Sequence, residues 1–152
     1  MGSIEKEDIK FMKEAIKQAQ RAYNIKEVPI GAVIVKDGKI IARAYNEKEL
    51  KQDVTKHAEI TAIQKASKKI KNWRLNDCTI YVTLKPCNMC TGAIIQSRIK
   101  RIVIGTEYES KGSIESHGIG SCEFGEKVEV TLGIMEKECK EILQSFFSEL
   151  RK

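Results

Sequence analysis

The sequence predicts an α/β protein of three layers, in which helices cover both faces of a five-stranded mixed sheet. Two observations support this prediction. Helical and strand-like patterns alternate along the 152 residues in the order α-β-β-α-β-α-β-β-α, with a long loop before the last strand. Asp37-Gly38 joins two strands as an antiparallel hairpin, whereas a later strand–helix–strand unit predicts a parallel, right-handed crossover. Both strand directions therefore occur in one sheet, and residues 1–152 are expected to form a single domain.

The first half of the chain is predicted from the spacing of its apolar residues. Apolar side chains recur at steps of three and four from Ile9 to Tyr23, which is typical of an amphipathic helix. Short apolar runs on either side of Asp37-Gly38 predict strands. Thr55 is the expected N-cap of the second helix. The predicted elements are a helix ending near residue 24, strands at 30–35 and 39–45, a polar loop at 46–56 and a helix at 57–70.

The second half is predicted in the same way. Trp73, the only tryptophan, lies in a connector and is expected to cover the core rather than stack on a substrate. The polar, glycine-rich loop at 106–127 is longer than is common without a function such as that of a lid. The predicted elements are strands at 79–84, 101–105 and 128–132 and helices at 86–97 and 135–150.

Composition limits the class of protein. With 41% hydrophobic and 32% charged residues, the chain is typical of a soluble globular protein, and no run approaches the ~18 apolar residues of a membrane span. No secretory signal pattern is present, and residues 1–3 resemble a remnant of cloning. Five cysteines, an odd number, favour the cytoplasm and metal binding over disulfides. The net charge of +6 permits a nucleic-acid partner, although the basic clusters at 65–71 and 98–101 fit solvated helix faces equally well.

Cys87 and Cys90 lie three residues apart at the start of a predicted helix, directly after Pro86. Residues three apart share a helix face, and proline is favoured in a first turn. The free N–H groups at a helix N-terminus favour negative charge and lower a thiol pKa toward the thiolate. Two adjacent thiolates suit a borderline cation, of which zinc is the commonest. The pair therefore predicts two zinc ligands.

His57 and Glu59 complete the predicted site. A closed structural zinc site needs four protein ligands, and the sequence offers only His57 besides the two cysteines. A three-ligand set leaves a position for water, whose pKa zinc lowers to about 7. That chemistry needs a group that takes and returns protons, and Glu59 is the candidate. Because both predicted helices follow strands, their N-termini are expected to meet at one end of the sheet.

Other interpretations of these residues were weighed against the catalytic one. A Cys-x-x-Cys pair also occurs in thioredoxin-like redox proteins, which lack the His-x-Glu helix start, and buried cysteines are often inert. His117 is expected to be an exposed loop residue, since a fourth ligand would close the site. Cys78, Cys122 and Cys139 are interpreted as structural thiols. A non-catalytic, zinc-stabilised RNA-binding module is a further alternative, although such a module has no use for Glu59 as a proton carrier.

The combination of His57-x-Glu59 with Pro86-Cys87-x-x-Cys90 is already known as the signature of the zinc-dependent nucleoside and nucleobase deaminases, and the sequence resembles that family. Within it, the chain most resembles the bacterial tRNA-specific adenosine deaminases, over nearly its whole length. The matching segments are 27–33, Asn46, 72–75, 81–84, 86–94 and 97–99.

The resemblance implies a cytidine deaminase-like fold, usually dimeric, with one zinc ion per chain. It implies hydrolysis of a purine amino group to a carbonyl with release of ammonia, and in the tRNA enzymes the substrate is the wobble adenosine of an anticodon loop. It assigns zinc binding to His57, Cys87 and Cys90, proton transfer to Glu59 and a contact with the base to Asn46. The residues that would bound the substrate pocket are Val28, Pro29, Ile30 and Ala58.

Three segments depart from the family's usual pattern. Lys85 replaces a glutamate before Pro-Cys, Lys56 replaces an alanine before His57, and residues 106–112 are acidic where the tRNA enzymes carry an Arg/Asp/Lys-containing loop. Glutamates repel phosphates, which dominate nucleic-acid affinity. The alternative substrate is therefore a free purine or nucleoside, of guanine, oxidised guanine or adenine type, with the 106–127 loop as a lid. The expected lid residues are Tyr108, Glu109, Glu115 and His117.

Overall fold

A computed structural model describes residues 2–108 and 124–151 of the chain. The described elements confirm the predicted α/β class and add one short helix, α2, inside the segment that was predicted to be a polar loop. In chain order they are α1 Ser3–Asn24, β1 Gly31–Lys36, β2 Lys39–Tyr45, α2 Lys48–Lys51, α3 Ala58–Ile70, β3 Cys78–Leu84, α4 Asn88–Gln96, β4 Arg101–Thr106, β5 Glu129–Leu132 and α5 Glu136–Leu150. Among these helices, none is long and apolar enough to cross a membrane.

The strands form one mixed sheet in the order β2-β1-β3-β4-β5. Strand β1 pairs antiparallel with β2 and β3, whereas β3–β4 and β4–β5 are parallel pairs. Asp37 and Gly38 have φ angles of 52° and 73°, as the two central residues of a type I′ hairpin turn require. The predicted hairpin and the predicted parallel crossover are both confirmed, and the crossover brings the end of β3 next to the end of β4.

The two faces of the sheet carry separate apolar clusters. Alternate residues of β1 divide between them, because successive strand side chains point to opposite faces. Ala32 and Ile34 lie with α3 and α4 in one cluster, which also contains Ala58 and Ile94. Val33 and Val35 lie in the other cluster with residues of α1 and α5, such as Phe11 and Cys139. The three predicted layers are therefore present.

A buried ion pair joins α1 to the sheet. Asp8 is 2% exposed and accepts hydrogen bonds from Arg101 Nη1 at 2.9 Å, from Arg101 Nη2 at 2.6 Å and from the Tyr81 hydroxyl at 2.8 Å. Arg101 Nη2 also donates to Thr131 Oγ1 at 2.9 Å. Burial, followed by the hydrogen bond to Asp8, raises the pKa of Tyr81 above its ordinary value. One carboxylate of the first helix thus connects it to β3, β4 and β5.

Strand β1 begins at a glycine against which α1 packs directly. A Cβ atom at Gly31 would overlap the Ala15 carbonyl oxygen and the Ala19 amide nitrogen, so no other residue fits without displacing the helix. The Gly31 N–H donates to Thr83 Oγ1 at 3.1 Å on the neighbouring strand. This contact fixes the backbone immediately after the predicted pocket residues at 28–30.

Two details of the sequence-based prediction are wrong. Trp73 does not cover the core: it is 51% exposed, and the guanidinium carbons of Arg74 and Arg98 lie 4.3 and 5.8 Å from its ring centroid. Leu75 is the buried residue of that connector, and its N–H donates to the Ser97 carbonyl. Thr55 does not cap α3, because its N–H and hydroxyl both donate to Asp53 Oδ1, at 2.8 and 2.6 Å.

Candidate metal centre and active site

The N-termini of α3 and α4 meet at one end of the sheet, as the sequence predicted. His57 is the N-cap residue of α3 and Cys87 that of α4. Both have extended backbone, with φ and ψ of −81° and 151° for His57 and −71° and 175° for Cys87. Neither side chain caps its own helix. Both side chains are therefore available to a ligand between the two helices.

His57, Cys87 and Cys90 form a three-residue cluster whose ligand atoms lie within 4.8 Å of one another. His57 Nδ1 lies 3.6 Å from Cys87 Sγ and 3.5 Å from Cys90 Sγ. Tetrahedral zinc with bonds of about 2.1 Å to nitrogen and 2.3 Å to sulfur separates such ligand atoms by about 3.6 Å. Both nitrogen–sulfur distances thus match those around a zinc ion, and Nδ1 is the histidine atom that faces the sulfurs.

The electrostatics of the cluster favour a thiolate. The hydrogen bond from Cys90, together with that from His57, lowers the pKa of Cys87 from 9.0 to about 4, against an opposing effect of burial. The pKa of Cys90 is raised, first by its hydrogen bond to Cys87 and then by burial. The hydrogen bond to Cys87 also raises the pKa of His57. The two sulfurs therefore hold one proton between them, and metal binding would release it.

Glu59 lies in the first turn of α3, two residues from His57, and is 3% exposed. Burial raises its pKa from 4.5 to about 7, partly opposed by a backbone hydrogen bond and by the charge of His57. A carboxyl group with a pKa near neutrality can both accept and donate a proton at physiological pH. Its position beside the cluster and its burial are what proton transfer requires.

Asn46, at the start of the segment that leads to His57, is hydrogen-bonded to the 28–30 segment. It is 4% exposed, and its Nδ2 donates to the Val28 carbonyl at 3.2 Å, while its Oδ1 accepts from the Lys48 N–H at 3.2 Å. Its backbone N–H donates to the Ile30 carbonyl at 3.1 Å. The amide orientation is thus defined by two backbone groups. Pro29 is buried, and Ala58 is fully buried in the apolar cluster, so Ala58 offers only its backbone to a ligand.

Glu27 is a buried residue of this region that the sequence analysis missed as a functional candidate. Its side chain is 2% exposed, and its carboxylate accepts the N–H groups of Glu49 at 3.2 Å and Leu50 at 2.6 Å. A glutamate in a surface-like polar segment gives no sign of burial in the sequence. The only available signal was its position immediately before Val28-Pro29.

Lys85 and Glu107, two of the departures from the family pattern, lie opposite each other. The pairing of Leu84 with Thr106 places them at adjacent strand ends, and Lys85 Nζ lies 3.5 Å from Glu107 Oε2. The Lys85 N–H donates to the Thr106 carbonyl, and the Tyr108 N–H donates to Thr106 Oγ1 at 3.1 Å. Of the four expected lid residues, only Tyr108 is described. Glu109, Glu115 and His117 lie outside the described residues.

Comparison with known proteins agrees with this geometry. The model of the MafB19-like deaminase family matches residues 6–151. A tRNA-specific adenosine deaminase of Bacillus subtilis is 44% identical over 149 residues, covering 96% of this chain and 92% of that protein.

Two solved structures are similar as well. One comes from a study of A-to-I editing by tRNA:A34 deaminases at the wobble position of transfer RNA; it is 38% identical, covers 88% of this chain and 99% of its own, and has a TM-score of 0.76. The other is a guanine deaminase from Bacillus subtilis, 40% identical over 69% of this chain and 64% of its own, with a TM-score of 0.61. By the extent of these matches and by its fold, the chain belongs to the MafB19-like deaminase family, which has the cytidine deaminase-like fold.

Proposed function

We propose that this protein is a zinc-dependent hydrolytic deaminase that converts the wobble adenosine of a tRNA anticodon loop to inosine. The observation that carries the proposal is the buried Glu59 beside the His57–Cys87–Cys90 cluster, in a chain 44% identical to a tRNA-specific adenosine deaminase over nearly its whole length. A non-catalytic zinc module would gain nothing from a buried carboxyl group at that position, since an uncompensated buried acid costs stability.

The metal ligands would be His57 Nδ1 and the sulfurs of Cys87 and Cys90, with one zinc ion per chain. The 3.5 and 3.6 Å spacings and the low pKa of Cys87 support this assignment. When bound, zinc supplies Lewis-acid activation of the water that attacks the purine. The described cluster offers three protein ligands, the number found in a catalytic zinc site that keeps one position for water.

Glu59 would carry the protons of the reaction. It accepts one proton from the attacking water and delivers it to the purine ring nitrogen. It then takes the proton of the hydroxyl group on the tetrahedral carbon and gives it to the amino group, which leaves as ammonia while the carbonyl forms. Such transfers are most efficient when the pKa of the group is near the working pH, and in the metal-free protein burial raises the pKa of Glu59 to about 7. The carboxyl group thus acts alternately as base and as acid.

Asn46 and the 28–30 segment would hold the base. The Asn46 amide uses one donor and one acceptor for backbone groups and retains one of each for a purine edge. Val28, Pro29, Ile30 and the Ala58 backbone would form the walls of the pocket. A base held between fixed backbone groups presents its amino-bearing carbon to the metal centre without reorganisation of the site.

The Lys85–Glu107 ion pair supports an RNA substrate. Glu107 was expected to repel phosphates, but its charge is paired with a lysine at 3.5 Å. The rim of the site at these two positions is therefore neutral rather than acidic. The remaining excess of cations, which gives the chain a net charge of +6, favours association with a polyanion.

A free purine or nucleoside is the second candidate substrate, and one observation favours it. A guanine deaminase of known structure is 40% identical to this chain, and the match covers 69% of this chain. The zinc ligands, Glu59 and Asn46 would serve that reaction equally well.

An ammonia-release assay across an anticodon stem-loop, free purines and nucleosides separates the two. The proposal predicts turnover of the stem-loop adenosine, with inosine as the product. Turnover of a free purine alone would support the second candidate. Zinc binding without turnover of any purine would refute both.

We also propose that residues 1–152 form a single domain that functions as a homodimer in the cytoplasm. The continuous match of the family model over residues 6–151 supports the single domain. Light scattering coupled to size-exclusion chromatography tests the dimer, which predicts a mass twice that of the 17.2 kDa chain.

A further inference from the structure

We propose that Glu27 is a positioning residue that sets the orientation of Asn46 toward the purine. The inference rests on the proposed function, because Asn46 contacts the base only there. Glu27 itself touches neither the metal cluster nor the pocket in our assignment. It acts through the short helix α2, and the contacts form a continuous path from its carboxylate to the Asn46 amide.

The path begins with the two hydrogen bonds of the Glu27 carboxylate. Its Oε1 and Oε2 accept the N–H groups of Glu49 and Leu50, at 3.2 and 2.6 Å. Burying a polar carboxyl group costs free energy unless hydrogen bonds replace its hydration, and here backbone donors of α2 do so. Because the acceptor is fully buried, α2 is held at one position relative to residue 27.

The path continues from α2 to the base-contacting residue. The N–H of Lys48, the first residue of α2, donates to Asn46 Oδ1 at 3.2 Å, and Asn46 Nδ2 donates to the Val28 carbonyl at 3.2 Å. Val28 directly follows Glu27 in the chain. The carboxylate, α2, the amide and the Val28 carbonyl therefore form a closed ring of contacts. Loosening the contact between Glu27 and α2 would release the Lys48 N–H that fixes which way the amide points.

The segment that leads to His57, a proposed metal ligand, is hydrogen-bonded to the N-cap residue of α2. The N–H of Glu47 donates to the Lys56 carbonyl at 3.0 Å, and Lys56 immediately precedes His57. The two ends of the 46–56 segment are thus joined independently of Glu27. This separation predicts that a change at residue 27 disturbs Asn46 more than it disturbs zinc binding.

Glu27→Gln is the sharpest perturbation of this arrangement. The amide retains one acceptor, but its NH₂ group then faces a backbone N–H, so one hydrogen bond becomes a donor–donor contact. Glu27→Asp provides a second variant, since it keeps the carboxyl group but is one methylene too short to hold both N–H groups. Glu49→Gln is the matched control, because Glu49 is an exposed glutamate of the same helix.

The experiment is a double-mutant cycle between Glu27→Gln and Asn46→Ala, measured on the purine substrate that the wild-type holoenzyme turns over. We expect Glu27→Gln to raise KM about tenfold and to leave kcat within about threefold, since uniform binding of the base is lost. In the Asn46→Ala background the same substitution should change KM by less than about twofold. Zinc content and the KM of Glu49→Gln should equal those of the wild type.

Amide hydrogen exchange at Glu49 and Leu50 supplies a readout that is independent of activity, with at least about tenfold faster exchange expected in Glu27→Gln and Glu27→Asp. An equal KM effect in both backgrounds, or unchanged KM with accelerated exchange, would overturn the positioning role. If the wild-type enzyme acts only on a free purine, the tRNA assignment is refuted, but the double-mutant cycle can still be measured with that purine as substrate. Inactivity on every purine would overturn both.

Discussion

Glu59→Gln should remove one pH-dependent contribution to the stability of the metal-free protein. Glu59 is buried, and its pKa is raised from 4.5 to about 7. A raised acid pKa means that the folded state binds a proton more tightly than the unfolded state does. The stabilisation from the protonated carboxyl group is therefore fully present below pH 4.5 and is lost as the pH rises through 7. Glutamine resembles the protonated form and cannot ionise.

The magnitude follows from the two pKa values. Each pKa unit corresponds to about 1.4 kcal/mol, so the rise from 4.5 to about 7 amounts to about 3.5 kcal/mol. Between pH 4.5 and pH 8 the metal-free wild type should lose about that much free energy of unfolding relative to Glu59→Gln. His57 and Cys90 interact with Glu59, so the substitution also changes their titration, and the measured difference belongs to the cluster as a whole.

Urea unfolding of the metal-free proteins at several pH values between 4.5 and 8 measures this difference. Parallel pH profiles for the two proteins would refute the argument that Glu59 is held in a desolvated environment. In the zinc-loaded state, the same variant should keep its metal while turnover falls by about 10²–10⁴-fold, because proton transfer is lost. Full activity of the loaded variant would remove Glu59 from the mechanism.

Three further outcomes are expected. Cys90→Ser should reduce bound zinc well below one ion per chain and abolish turnover, because it removes a proposed ligand. Cys78 lies outside the cluster, so Cys78→Ala should retain the metal; plasma emission spectroscopy measures the zinc content of both variants. Asp8→Asn should lower the free energy of unfolding by about 3–5 kcal/mol, because the partly buried Arg101 then lacks its charged partner. Denaturant titration would detect a loss of that size. If the substrate is RNA, KM for the stem-loop should rise steeply between 50 and about 200 mM salt, while KM for a free purine would barely change in the same kinetic assay.

The metal cluster and the sheet were predictable because they depend on local spacing. Three local patterns determine the backbone geometry of a few residues each. They are the three-residue step between Cys87 and Cys90 after a proline, the histidine two residues before a carboxylate, and the Asp-Gly turn. The structure has those elements where the sequence placed them, with helix and strand ends shifted by one or two residues. The meeting of the two helix N-termini followed from the order of elements alone.

The buried carboxylates were not predictable, because their burial depends on partners far along the chain. Asp8 lies on a helix whose apolar stripe is clear, yet its partner Arg101 is 93 residues away. Glu27 accepts N–H groups from residues 22 and 23 positions later, in a helix of four residues that has no apolar period of its own. Trp73 was expected to cover the core, but it is 51% exposed, and the guanidinium groups of Arg74 and Arg98 lie over its ring.

The glycine at the start of β1 bears on how the enzyme's substrate range can change. Since the backbone of α1 at Ala15 and Ala19 leaves no room for a Cβ atom at Gly31, the preceding residues 28–30, which we propose as the pocket wall, are held against a 22-residue helix. Shifting that peptide would require moving the helix and breaking the Asp8–Arg101 ion pair with it. New specificities in this scaffold are therefore expected to arise from exchanged side chains on an unchanged frame, not from remodelling of the main chain.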